Sequence, residues 1–192
     1  MNSRAASMTH ARGFALFTAL LLLMIITILA MSMFRAFGTQ EHIAGNVREK
    51  ERAFHAAESV QQYAEWWLLQ NNNTAIGASQ CAAGSQAASP TQGQICNQTP
   101  QQAGMNLIVV PWVTQITYTP QNMVLVGQPA VAGNPPYFNT PAFYIADRGV
   151  AADGAGEAYQ IDAYGYGSAA NTVAVVESVY EVQQGVVNRG AL

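Results

Sequence analysis

Apolar and polar positions divide the chain into three stretches. From Phe14 to Phe34 no residue is charged and most are large and apolar. A helix over those 21 residues rises about 30 Å, the thickness of a bilayer's hydrocarbon core. A cleaved secretory signal has an apolar region of about 7–15 residues and a small-residue cut site. This run is longer, and its residues around Ala30 to Ser32 make a poor cut site, so a membrane-spanning helix is predicted. Beyond Phe34 the pattern changes without a proline. Ile43, Val47, Phe54, Ala57, Val60, Ala64 and Leu68 recur at spacings of three, four and seven, while Arg48, Glu49, Glu51, Arg52, Glu58 and Glu65 fall opposite. One long helix from about Phe14 to Gln70 follows, spanning a membrane over 14–34 and amphipathic over 35–70. Asn71 to Thr74 should end it. Gly38 and Gly45 each cost about 1 kcal/mol against alanine, which predicts a soft or locally melted segment near the membrane exit.

The remainder alternates on a shorter period. The runs MNLIVVPW, TQITYTP, NMVLVGQ, AFYIADRG, EAYQIDAYGYGS and NTVAVVESVYEV are β-branched and aromatic, divided by Gly, Pro and Asn. The last three read as an antiparallel meander, with AADGAGEA and GSAAN as turns. Tyr159, Ile161, Ala163, Tyr164 and Val173, Val175, Ser178, Val179 give imperfect period-two faces. The fold class is therefore α+β: a long N-terminal helix, transmembrane then amphipathic, packed on a C-terminal antiparallel β-sheet. Residues 71–104 form a loop region between them, and residues 105–192 the sheet domain.

Charge placement adds a compartment. The formal net charge is −3, and no Asp, Glu, Lys or Arg occurs between Glu65 and Asp147. This offers no basic field for nucleic acid. The neutral stretch is rich in Gln, Asn, Ser and Thr, a composition suited to the outside of the cytoplasm. Cys81 and Cys96 enclose fourteen residues of loop-like sequence. A disulfide there would contribute about 3 kcal/mol of chain-entropy stabilisation and imply an oxidising compartment; two free buried thiols are the other reading. Arg4 and Arg12 precede the apolar run, while Arg35, Arg48, Lys50 and Arg52 follow it. Orientation therefore rests on the cysteines and the neutral composition, which put the long C-terminal part outside.

Candidate chemistry is sparse. His10, His42 and His55 are the only histidines and none lies in the sheet region, which leaves a nucleophile there without a histidine base. Neither a glycine-rich phosphate loop nor a CxxC pair occurs. Asp147, Asp153, Glu157 and Asp162 gather around one glycine-rich hairpin, as calcium ligands or as ordinary turn residues. Trp66 and Trp67 offer either a binding platform or one ring packed on the sheet with the other at its rim. The polar loops Asn71 to Ser89 and Gln121 to Pro141 are surfaces for partner proteins or inert coating. The sequence reads as a structural protein rather than an enzyme.

Three pieces carry a resemblance. Arg12-Gly13-Phe14 ahead of the apolar run, EHIAGNVREKERAFHAAESV, and YQIDAYGYGSAANTVAVVESVYEV resemble the PilX family of type IV minor pilins. The likeness is strong over about residues 8–70, weaker over 143–183 and absent between. Its most specific block is Ile43-Ala44-Gly45-Asn46-Val47-Arg48-Glu49 followed by Ala53-Phe54-His55-Ala56-Ala57-Glu58. The resemblance implies a pilin-like fold and a cytoplasmic leader, residues 1–13. Prepilin peptidase would cut it between Gly13 and Phe14, and Phe14 would then be methylated. It implies partners: other minor pilins, the major pilin, the inner-membrane assembly platform and a tip adhesin, with no cofactor beyond the calcium option. The protein would sit in the inner membrane with its C-terminal domain periplasmic, then at the pilus tip on the cell surface. Thr18 stands where major pilins carry a glutamate. Family members and K-type pseudopilins of type II secretion lack that glutamate too and are placed at or near a filament tip. The implied function is priming of pilus assembly in support of twitching motility and adhesion. The alternatives are a K-type pseudopilin and a membrane-anchored periplasmic adhesin or binding module.

Overall fold

The computed structural model describes residues 12–70, 73–81, 94–129, 133 and 135–183; most of the expected leader and much of the loop between the cysteines lie outside them. The chain forms two compact units, Met1–Val47 and Arg48–Leu192. Helix α1, Arg12–Leu68, is 57 residues long, and its N-terminal part is the described content of the first unit. Gly38 and Gly45 are helical like their neighbours, so the melted segment predicted from them does not form. A cost of about 1 kcal/mol at each is borne by helical turns on both sides, which propagate without a new nucleation step.

In the second unit, α1 from Arg48 onward packs on a four-stranded antiparallel sheet of order β1-β2-β3-β4. The strands are β1 (Ile116–Thr117), β2 (Ala142–Val150), β3 (Glu157–Tyr166) and β4 (Val173–Val182). Leu68 ends the helix, and Asn73 donates its side-chain amide to the Trp67 carbonyl at 2.6 Å, satisfying one of the last open acceptors. A short 3-10 turn, Asn73–Ile76, follows.

The helix face that reaches the sheet is narrower than its hydrophobic period suggested. Ala53, Ala56, Ala57, Val60, Ala64, Trp67 and Leu68 are buried, whereas Ile43, Val47 and Phe54 are exposed. Beneath the helix lie Phe143 and Ile145 of β2 with Tyr159, Ile161 and Ala163 of β3. Ile116 and the ring of Tyr118, stacked 3.7 Å from Tyr63, close the same layer. Tyr164 belongs to the opposite face. There, with Tyr144, Tyr166, Trp112 and the two cysteines, it forms a second core covered by loops rather than by a helix.

Two of the six expected strands are not strands. In MNLIVVPW, Asn106 accepts the Ile108 N–H and the Val109 N–H bonds back to the Asn106 carbonyl. The loop so formed wraps Trp112, whose indole N–H reaches the Leu107 carbonyl at 3.2 Å. Pro111 has no N–H for a ladder. In NMVLVGQ, turns bring the Met123 N–H to the Pro120 carbonyl and the Gln128 N–H to the Leu125 carbonyl. Among the described residues one isolated bridge, Leu125 with Tyr137, is all that pairs it.

The sheet's two edges differ. Along β2, β1 pairs with Ala142 and Phe143. Farther along the same strand the Cys96 N–H donates to the Ile145 carbonyl (2.9 Å), and the Asp147 N–H donates to the Cys96 carbonyl (2.8 Å). That edge is covered from Ala142 to Asp147 by β1 and the cysteine segment, and Arg148 to Val150 are exposed. The other edge is β4.

Candidate functional site

In the first unit the surface itself is the site. From Phe14 to Phe34 the large side chains, among them Phe14, Leu16, Phe17, Leu20 to Leu23, Ile25, Ile26, Ile28 and Leu29, stand exposed. Covering each of these chains is worth about 1.5–3 kcal/mol, on the order of 20 kcal/mol in total. Such a surface does not stay in water. Among the described residues this is the one helix long and apolar enough to cross a membrane. The three hydroxyls on it are satisfied within the helix: Thr18 donates to the Ala15 carbonyl (3.0 Å), Thr27 to Met24 (2.8 Å) and Ser32 to Ile28 (2.9 Å). Thr18 therefore needs no partner outside its own helix, as hydrocarbon surroundings demand.

In the second unit the helix is tied to the sheet by a polar clamp and a close approach. Glu49 lies on the helix turn nearest the β3–β4 connection. One oxygen of its carboxylate accepts both the Ser168 N–H (2.8 Å) and the Ser168 hydroxyl (2.5 Å). The other oxygen receives Arg52 at 3.0 Å. The Ser168 hydroxyl bond is the main reason that the Glu49 pKa lies below its ordinary value of 4.5; burial opposes it, and the Ser168 N–H and Arg52 add to it. Arg52 also donates to the Pro135 carbonyl at 2.6 Å and sits 4.5 Å over the Tyr137 ring. Lys50 reaches the Val173 carbonyl at 2.9 Å. A single helical turn thus holds the β3–β4 connection, the start of β4 and the segment ahead of β2.

Next to this clamp, the stripe of Ala53, Ala56 and Ala57 lies on Gly165 of β3. A Cβ at Gly165 would come within 2.5 Å of the Ala57 nitrogen, 2.7 Å of the Ala53 carbonyl oxygen and 2.7 Å of the Ala56 Cβ. Glycine in the strand and alanine in the helix bring the two backbones closer than larger side chains would allow. Sequence reasoning missed both Gly165 and the tertiary partners of Glu49. The Glu49-x-x-Arg52 spacing showed only an intrahelical pair.

The other candidate residues fall as follows. Cys81 and Cys96 form a disulfide with Cα atoms 5.4 Å apart. Trp67 is buried on the sheet and Trp66 half-exposed, the divided arrangement rather than a two-ring platform. His42 and His55 are exposed on the helix; His10 lies outside the described residues. The four carboxylates do not converge as a calcium site. Asp147 accepts the Gly149 N–H (2.7 Å) at a β2 bulge, and Asp153 the Ala155 N–H (2.9 Å) in the turn. Glu157 accepts the Tyr159 hydroxyl (2.8 Å). Asp162 is buried five positions along β3. Among the described residues no group of three or more His, Cys, Asp or Glu side chains could hold a metal ion. Of the loops expected to meet partners, residues 71–72, 82–89, 130–132 and 134 lie outside the described residues. The most exposed apolar tip lies elsewhere, at Ile108 and Val109.

Asp162 is unusual in another way. Its Oδ2 accepts from Gln160 at 2.9 Å, but its Oδ1 is buried and has no hydrogen-bond partner among the described residues. Glu177 faces it directly across β4. Burial pushes the Asp162 carboxyl up to about 6; the Gln160 bond opposes this and the Glu177 charge reinforces it.

No curated protein and no solved structure matches the chain. A protein-family model described as PilX N-terminal matches residues 12–60. The match covers the apolar surface, the Glu49 and Arg52 clamp and the alanine stripe as far as Val60, and it stops short of every β-strand. Residues 12–60 are thus similar to the N-terminal domain of the PilX family of type IV pilus minor pilins.

Proposed function

We propose that the chain is made as a prepilin, cut between Gly13 and Phe14 and methylated on Phe14, and that it joins a minor-pilin complex priming pilus assembly. The observation that carries this reading is the match over residues 12–60 on a helix whose apolar stretch is exposed along its whole length. Before assembly lipid covers that surface and the C-terminal domain stands in the periplasm. In the filament the helices of other minor pilins and of the major pilin cover it. Thr18 supports a position at or near the tip. A carboxylate at this depth is costly unless a partner's charge meets it, and a hydroxyl bonded to the Ala15 carbonyl needs none. A tip position would serve twitching motility and adhesion, with a tip adhesin as neighbour. The disulfide favours the oxidising side of the membrane for the sheet domain.

Mass spectrometry of the membrane-extracted protein tests the processing step. An N-terminus at methylated Phe14 is the expected result; an intact leader would leave a plain anchored periplasmic module instead. Thr18→Glu tests the position. It should reduce the number of pili per cell and displace the protein from tips in immunogold images. Unchanged initiation and placement would refute the tip argument. Loss of protein secretion with pili intact would assign the chain to a type II secretion filament.

A further inference from the structure

We infer that the outer edge of β4 is a docking site for an extended segment of another protein, one that carries a basic residue between two apolar residues on the same face. Among the described residues the sheet is covered along most of β2 and open along β4, which is ten residues long and contains neither proline nor lysine. Alternate backbone N–H and C=O groups of such a strand point away from β3. Among the described residues only the Val173 carbonyl meets one of them with a partner, the Lys50 ammonium. Solitary edges of this length are normally shortened, bulged, covered or given lysines, because they template pairing with another chain.

The side chains say what would pair. On the face away from α1, β4 presents Val175, Glu177, Val179 and, at its end, Glu181, all exposed, Val179 to 66%. Among the described residues the loops that cover this face over β2 and β3 leave these four uncovered. Glu177 stands opposite Asp162 and interacts with its carboxyl, whose Oδ1 has no other hydrogen-bond partner among the described residues. Two carboxyl groups are thus adjacent in one cross-strand row with no cation beside them among the described residues. A strand added beyond β4 would place one side chain opposite Glu177, about 5 Å away between Cβ atoms, and two more beside Val175 and Val179. Lysine or arginine in the middle and valine, isoleucine or an aromatic ring on either side complement that row in charge and polarity. Backbone bonds would supply the affinity and the row the choice of partner. The inference does not rest on the pilin reading, since an uncleaved chain has the same edge.

Fluorescence anisotropy with the full chain in detergent micelles tests it. The probe is a fluorescent peptide centred on valine–threonine–lysine–threonine–valine. Saturable binding is expected, weakened more than about tenfold when alternate peptide amides are N-methylated. Glu177→Lys, a surface change checked by an unaltered melting curve, should weaken the lysine peptide about fivefold and strengthen a peptide with glutamate in its place. No saturable binding, or binding indifferent to N-methylation, would overturn the edge. A charge swap without reciprocity would overturn the basic residue. Binding seen only after removal of residues 184–192 would give the edge to the chain's own C-terminal segment, and the proposal would fall.

Discussion

Gly165→Ala is the most direct test of how the helix sits on the sheet. The added Cβ would lie 2.5–2.7 Å from three atoms, and two of them, the Ala57 nitrogen and the Ala53 carbonyl oxygen, belong to the helix backbone. Contacts between such atoms normally open at about 3.5 Å. Relief therefore needs the helix to lift by about 1 Å along its alanine stripe, and no rotamer change can substitute. Overfilling a packed core costs about 1–3 kcal/mol. Because the obstruction is backbone, the upper end applies, about 3 kcal/mol. For a chain of this length that corresponds to a melting point lower by about 6–12 °C. Heating the full chain in detergent while following the emission of Trp67 and Trp112, both buried, reads the shift. Ala56→Gly in the same background removes only one of the three obstructions and should restore little. Gly45→Ala has open space around the new methyl and should raise stability by up to about 1 kcal/mol through helix propensity. A Gly165→Ala melting point within about 1 °C of the parent would refute the close approach.

Three further outcomes follow from the clamp, the buried carboxyl and the disulfide. Asp162 holds its proton to about 6 in the fold and releases it near 3.8 unfolded, so the fold loses stability as pH rises through that interval. Asp162→Asn should then add up to about 3 kcal/mol at neutral pH and little in acid below both values; equal gains in melting point at both would contradict the assignment. Glu49 has the opposite sign: its folded pKa is lowered, so its contribution is present at neutral pH and fades as pH falls below 4.5. Glu49→Gln should cost about 1 kcal/mol near neutrality, discounted for a side chain still 29% exposed, and nothing in strong acid, as urea midpoints across pH will show. Replacing Cys81 and Cys96 together with serine should cost about 3 kcal/mol and abolish the effect of reductant on the melting curve. A reductant effect that persists in the double variant would deny the disulfide that role.

Much of the architecture was legible because its signals were long or local. Twenty-one uncharged residues and a proline-free continuation announced the helix, and β2, β3 and β4 showed as three alternating runs separated by glycine-rich turns. What was not legible depended on approach in three dimensions. Ile43, Val47 and Phe54 fit a helical period as well as Val60 and Leu68 do, but periodicity does not say where the sheet begins. MNLIVVPW has strand composition, yet local bonds from Asn106 and the needs of the Trp112 indole hold it as a loop. The four carboxylates were close in sequence and separated by the extension of β3. Asp147 and Asp153 were already committed to backbone N–H groups. The clamp at Glu49 and the notch at Gly165 join positions more than a hundred residues apart, and nothing in either neighbourhood names the other.

The inward-turned hydroxyls of Thr18, Thr27 and Ser32 have a consequence for how the apolar helix changes company. With every side-chain oxygen already answered by its own backbone, the stem shows the same carbon exterior to an acyl chain as to a sister stem. No hydrogen bond has to be surrendered or found at the moment of exchange. If the stem passes from bilayer to fibre as proposed, these three hydroxyls add no polar cost to the exchange.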